Sequence, residues 1–160
     1  LELVRNTPLL IQLFVFYFVL GPILEMDRFW VAVWCIAFFE GSFASEIMRG
    51  GILSVPRGQW EASDAVGLTR PQTYLYVVLP QAVPIMLPPL VGIIVNLIKH
   101  SAIVSVIAVF DLTTSGLDII SETFMAFEIW LVVAAIYLSI TVTLSVLVGW
   151  LEQRMRFSGQ

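Results

Sequence analysis

Eight polar side chains interrupt apolar runs of this sequence, and their types suit binding better than bond cleavage. Glu40, Ser42 and Ser45 stand in one run; Asn96, Lys99, His100, Ser101 and Ser105 stand in another. An ionisable group among apolar residues is expensive and marks a functional position by default. A carboxylate such as Glu40 suits an ammonium group. Lys99 and Ser101, with backbone amides freed by a helix break, suit a carboxylate. Together they describe the lining of a polar path for a small zwitterion. Two plainer readings stand beside it. Gly41, Ser42, Ala44 and Ser45 also suit close helix packing, and the second group also suits hydrogen bonding between subunits. Glu46 has a local partner in Arg49, three residues on. Hydrolytic and nucleotide chemistry lack their usual patterns: no H-E-x-x-H, G-x-S-x-G or G-x-x-x-x-G-K-[ST] is present. His100 and Cys35 are the sole histidine and cysteine, so no zinc cage and no internal disulfide are expected.

The elements that must carry these residues are membrane helices. Of 160 residues, 59% are hydrophobic and 12% charged, about half the charge of a soluble domain at ~25%. Eight Lys and Arg against twelve Asp and Glu leave −4, with no basic patch for nucleic acid. Such apolarity also excludes a disordered chain. A spanning helix needs about 20 apolar residues. Four candidates result: 6–24, about 29–48, about 90–110 and 129–151, the last with Trp130 and Trp150 near its ends as interfacial anchors. Pro71, Pro80, Pro84, Pro88 and Pro89 predict a short helix at about 70–78 and a kinked passage over 79–89 ahead of the third span. The fold class is an all-α polytopic helix bundle, with residues 1–160 as one transmembrane domain.

Arginines set the orientation. With four spans, Arg5, Arg49, Arg57, Arg70, Arg154 and Arg156 fall on one side, which the positive-inside rule assigns to the cytoplasm. The other side takes Arg28 with Glu25, Asp27, Asp118, Glu122 and Glu128. Residues 50–80 then form a cytoplasmic loop. Within it, a helix over 59–66 ends at Gly67, a left-handed stop. Thr69-Arg70-Pro71-Gln72 follows in capping-box form, with proline in the first turn. Ala62 and Ala65 share one face; Glu61 and Asp64 share an adjacent one. Small residues flanked by acids suit docking into a groove of another protein. A helix lying on the bilayer would carry Lys and Arg on its polar face instead.

This loop resembles that of the permease subunits of binding-protein-dependent ATP-binding-cassette importers. Their motif is Glu-Ala-Ala, three residues, Gly, nine residues, Ile-x-Leu-Pro. Here Glu61-Ala62-Ser63 leads after three residues to Gly67, and after nine more to Val77-Val78-Leu79-Pro80. Ser63 and Val77 are the departures. Arg5-Asn6-Thr7-Pro8-Leu9-Leu10-Ile11-Gln12 is similar to the signature of the polar amino-acid permeases. So are Glu46-Ile47-Met48-Arg49-Gly50-Gly51-Ile52, Val55-Pro56-Arg57-Gly58-Gln59, Leu79-Pro80-Gln81-Ala82 and Val104-Ser105-Val106-Ile107. Members usually carry about five spans, and this sequence opens on Leu1 just before what would be the second. His100 stands where the family often has Asp or Asn.

The resemblance implies a type I importer permease of the bacterial inner membrane, working against a second permease subunit, the same or homologous. A dimer of ATPase subunits would bind below, and a periplasmic or lipid-anchored amino-acid-binding protein would dock above. ATP and magnesium would sit in the ATPase, with no cofactor in this chain. The helix at 59–67 would be the coupling helix, with Glu61, Ala62, Ser63, Asp64, Ala65, Gly67, Leu79 and Pro80 as its functional residues. Glu61 would make the principal polar contact. A proton-coupled secondary transporter and a purely structural membrane subunit are the rival readings. The first has no need of an ordered loop of this length; the second is favoured if the partner permease alone carries the solute site.

Overall fold

The computed structural model describes residues 2–157, with side chains described through Trp150. Every regular element among the described residues is helical. In chain order these are α1 (Glu2–Arg5), α2 (Leu9–Ile23), α3 (Arg28–Leu53), α4 (Arg57–Ala65), α5 (Arg70–Ile107), α6 (Leu112–Thr123) and α7 (Ala126–Phe157).

Three of them are long and apolar enough to cross a membrane: α3, α5 and the Ala126–Trp150 part of α7. The first expected span is realised as the shorter α2, whose 15 residues reach about 22 Å at 1.5 Å per residue. The bundle is inside-out by the standards of a soluble protein. Phe18, Trp30, Trp34, Phe38, Leu131 and Leu147 are all exposed, as expected where lipid or another apolar subunit covers the surface.

The proline-rich passage differs from expectation. No break in helix separates 70–78 from the third span: α5 continues from Arg70 to Ile107 through Pro80, Pro84, Pro88 and Pro89. A π-turn at Tyr74–Val78 explains its start, with the Leu79 N–H donating to the Tyr74 carbonyl. Pro80 would clash with the carbonyl four residues back, which is that of Tyr76, inside the widened turn. The same arrangement recurs in α2. A π-turn at Phe16–Leu20 precedes Gly21-Pro22, and the Gly21 N–H donates to the Phe16 carbonyl. In an apolar surround the remaining backbone groups have no alternative partner, so the helix persists around each missing donor.

The third expected span also ends sooner and continues differently. At Ala102 the helix tightens to 3₁₀ geometry, and it stops at Ala108, a non-glycine residue with φ of 53°. The 12-residue α6 then follows, where the sequence had suggested only a connection. Asp111 starts it, accepting the Thr114 N–H at 2.8 Å. Its other oxygen accepts the Tyr137 hydroxyl of α7 at 3.3 Å, and Tyr137 also contacts the Thr113 hydroxyl at 3.1 Å. A hairpin closing at Phe124 (φ 59°) thus packs α6 on α7.

Two buried clusters hold the frame. Leu9 and Leu13 of α2, Cys35, Ile36 and Phe39 of α3, and Val104 and Ile107 at the end of α5 form one. Val55, Val78, Ala82 and Met86 form the other, with Trp60 packed against it. At the second, α3 and α5 approach so closely that a Cβ on Gly51 would fall 2.0 Å from Met86 Cγ.

Candidate functional sites: an exposed hairpin and a polar cavity

The hairpin is built from local signals. Pro56 precedes α4 in extended conformation. At the far end Gly67 takes φ of +79°. Its N–H donates to the Asp64 carbonyl and the Leu68 N–H to the Ser63 carbonyl, both at 3.1 Å. That bond pair is a Schellman motif. Thr69 then starts α5 in the capping-box arrangement, its N–H donating to Gln72 Oε1 at 2.9 Å. The expected stop and restart are both present at the expected residues.

One side of α4 is anchored. Trp60 packs edge-on against Tyr74 with ring centroids 5.2 Å apart, a contact worth about 0.5–1.5 kcal/mol beyond its buried area. Ser63 is buried, and its hydroxyl donates to the Gln59 carbonyl at 2.7 Å. Ser63 was expected beside Glu61 and Ala62 in the docking set; it is instead the member turned inward, because Ala62 and Ala65 cannot face out on this helix without placing residue 63 underneath. Glu61, Ala62, Asp64, Ala65 and Val66 are exposed, Val66 at 75%. Asp64 is paired with Arg70 across the turn at 3.5 Å. Leu79 and Pro80 lie on α5 beyond the π-turn, half-buried and exposed respectively.

The second site is a cavity of about 490 Å³ between α3 and α5, lined by Phe39, Glu40, Phe43, Ile47, Pro89, Gly92, Ile93, Asn96 and His100. Glu40 is buried midway along α3. Its carboxylate meets His100 Nδ1, sixty residues on in sequence, in a side-chain contact between the two helices. Phe39 packs edge-on against the His100 ring at 5.6 Å. Of the eight polar residues singled out in the sequence, Glu40, Asn96 and His100 line this cavity. The others do not. Ser42 is buried with its hydroxyl on the Phe39 carbonyl, and Ser45 bonds the Ser42 carbonyl. Ser101 and Ser105 bond the carbonyls of Ile98 and Ala102. Lys99 is exposed and is not among the lining residues. Adjacent Lys99 and His100 stand about 100° apart around the helix, and of the two only His100 lines the cavity.

Glu46 pairs with Arg49 as its spacing suggested, Arg49 Nε donating at 3.2 Å. It also receives Arg5, whose Nη1 lies 3.0 Å from Glu46 Oε2. No local spacing signals that second partner. Among the described residues no group of three or more His, Cys, Asp or Glu is placed to hold a metal ion.

Residues 1–157 match the family described as "Binding-protein-dependent transport system inner membrane component". The chain is 42% identical to the glutamine transport system permease protein GlnP of Escherichia coli strain K12, over 98% of this chain and 73% of that protein. It is 39% identical to the probable glutamine ABC transporter permease protein GlnM of Bacillus subtilis strain 168, with the same shares covered. A crystal structure of an amino acid ABC transporter with histidines superposes with a TM-score of 0.88 at 38% identity, covering 96% of this chain and 72% of that one.

Proposed function

The chain belongs to the family of binding-protein-dependent transport system inner membrane components, and from that premise we propose that it is the subunit through which a polar amino acid crosses the membrane. It does so as a permease component of an ABC importer. ATP and magnesium are held by a separate ATPase subunit, and a solute-binding protein delivers the cargo. Two of its relatives are glutamine permeases by name and others are named for glutamate/aspartate, octopine and cystine, so the cargo class is a polar amino acid. Family membership leaves the proton-coupled alternative without support.

The observation that carries the reading is the two-sided build of α4. Trp60 fastens it to Tyr74 and Val78 at the start of α5 and Ser63 is turned inward, while Glu61, Ala62, Asp64, Ala65 and Val66 stand exposed. Small side chains there allow close approach of a partner groove, and Glu61 offers it a carboxylate. With residues 50–80 on the cytoplasmic side, a closing ATPase pair pushes on α4. The Trp60 anchor passes that push to α5, and the Val55–Val78–Met86 contacts pass it to the end of α3. Those two helices bound the cavity that holds Glu40, Asn96 and His100. Motion at the loop therefore changes the shape of the solute path, and Glu40 is the group for the cargo's ammonium.

Glu61→Lys tests the reading in the assembled transporter. We expect normal membrane insertion with loss of ATPase association or of uptake. Normal association with normal solute-stimulated uptake in that variant would remove the coupling assignment.

A further inference from the structure

Two segments that look unrelated in sequence meet in one ion cluster. Arg5 ends α1, and the elbow that follows it is tied down by side chains. Gln12 Nε2 donates to the Val4 carbonyl at 2.5 Å and to the Thr7 carbonyl at 3.1 Å, and the Thr7 hydroxyl donates to the Leu3 carbonyl at 3.0 Å. So fixed, Arg5 reaches Glu46 Oε2 at 3.0 Å, while Arg49 holds the same carboxylate from the next turn of α3. Arg5 is 22% exposed and Glu46 38%. Glu46 lies two turns before the end of α3, and that end is packed with Trp60 and α5 through Val55. Among the described residues this is the ion pair that joins α1 to the helix carrying the hairpin.

We infer that Arg5 is a positioning residue for coupling: through Glu46 it makes the α1–α2 elbow move with the hairpin. The ion pair adds a directed, charged link between the elbow and α3 to the apolar contacts of Leu9 and Leu13 with Cys35, Ile36 and Phe39. The push delivered to α4 therefore carries α2 with α3, the helix that supplies Phe39, Glu40, Phe43 and Ile47 to the cavity. Arg49, held by the neighbouring turn, orients Glu46 toward Arg5.

This inference rests on the importer reading, and the test separates the two. In the reconstituted complex of permease, ATPase and solute-binding protein, the readout is the ratio of binding-protein-stimulated to basal ATP hydrolysis. Absence of ATPase association in the wild type would sink the importer reading itself. With association established, Arg5→Gln is expected to lower the ratio at least about fivefold, the lower edge of ordinary coupling between sites, and Arg5→Lys to restore most of it. A purely structural role would lower the yield of complex and leave the ratio of what assembles unchanged. A ratio in Arg5→Gln equal to wild type overturns the inference. Should Arg5→Gln fail to assemble, Glu46→Asp decides: its carboxylate is one methylene shorter and loses reach to Arg5, and an undiminished ratio there also overturns it.

Discussion

Replacing Gly67 tests the hairpin at the point where its geometry is least forgiving. The residue holds φ of +79°, and a Cβ placed on it meets nothing within 4 Å. The requirement is therefore conformational, not steric: open space surrounds a left-handed backbone. An L-residue with a Cβ costs about 1–2 kcal/mol in that region, and Asn is tolerated better than other residues. If the residue relaxes to negative φ instead, the two 3.1 Å bonds from Gly67 and Leu68 to the end of α4 are lost. A penalty of 1–2 kcal/mol lowers the population of the docking-competent hairpin about 5- to 30-fold relative to alternatives. We expect retention of the ATPase subunit on the purified permease to rank Gly67, then Asn, then Ala, then Val. Melting of the membrane bundle should be unchanged across the series, since Gly67 contacts neither core cluster. Equal retention by Gly67→Val and Gly67→Asn would refute the reasoning.

Other outcomes follow from packing and from the cavity. Gly51→Leu should destabilise the bundle by about 1–3 kcal/mol by overpacking, because its Cβ falls on Met86, whereas Gly50→Leu, with open space beside it, should be near neutral; thermal unfolding in detergent distinguishes them. Glu40→Gln should lower uptake about tenfold or more at normal assembly, the scale of one charge-assisted bond to the cargo. Lys99→Ala should cost much less than Glu40→Gln, since Lys99 is exposed and outside the cavity lining; comparable losses in a transport assay would show that the path extends beyond that lining.

What could be read in the sequence was whatever local chemistry dictates. Gly67, Thr69 and Gln72 announce the hairpin's ends because caps act within one turn. Glu46 and Arg49 announce their pair because helix geometry fixes neighbours three apart. Helix continuity through the prolines has a physical reason that the sequence does not display: the clash argument assumes α-geometry, and the π-turns ahead of Pro22 and Pro80 widen the helix where the ring needs room. A proline six residues after the turn's first residue is the shared signal, visible only once both turns are seen. The short α6 escaped notice because Asp118 and Glu122 read as loop charges, although Asp111-Leu112-Thr113-Thr114 has an N-cap residue at its head. Ser63 could be assigned to a face only after Trp60 fixed which side of α4 is anchored. The contacts of Glu40 with His100 and of Arg5 with Glu46 join segments distant in the chain, where no periodicity carries information.

The claim that the rest depends on is that α4 is gripped by an ATPase. A photo-crosslinking amino acid at position 62 or 65, on the exposed face, tests it directly, with position 131 on the apolar surface of α7 as the comparison. We expect ultraviolet illumination of intact membranes to give an adduct with the ATPase subunit from positions 62 and 65 and none from 131. Adducts with lipid alone from all three positions would contradict the account.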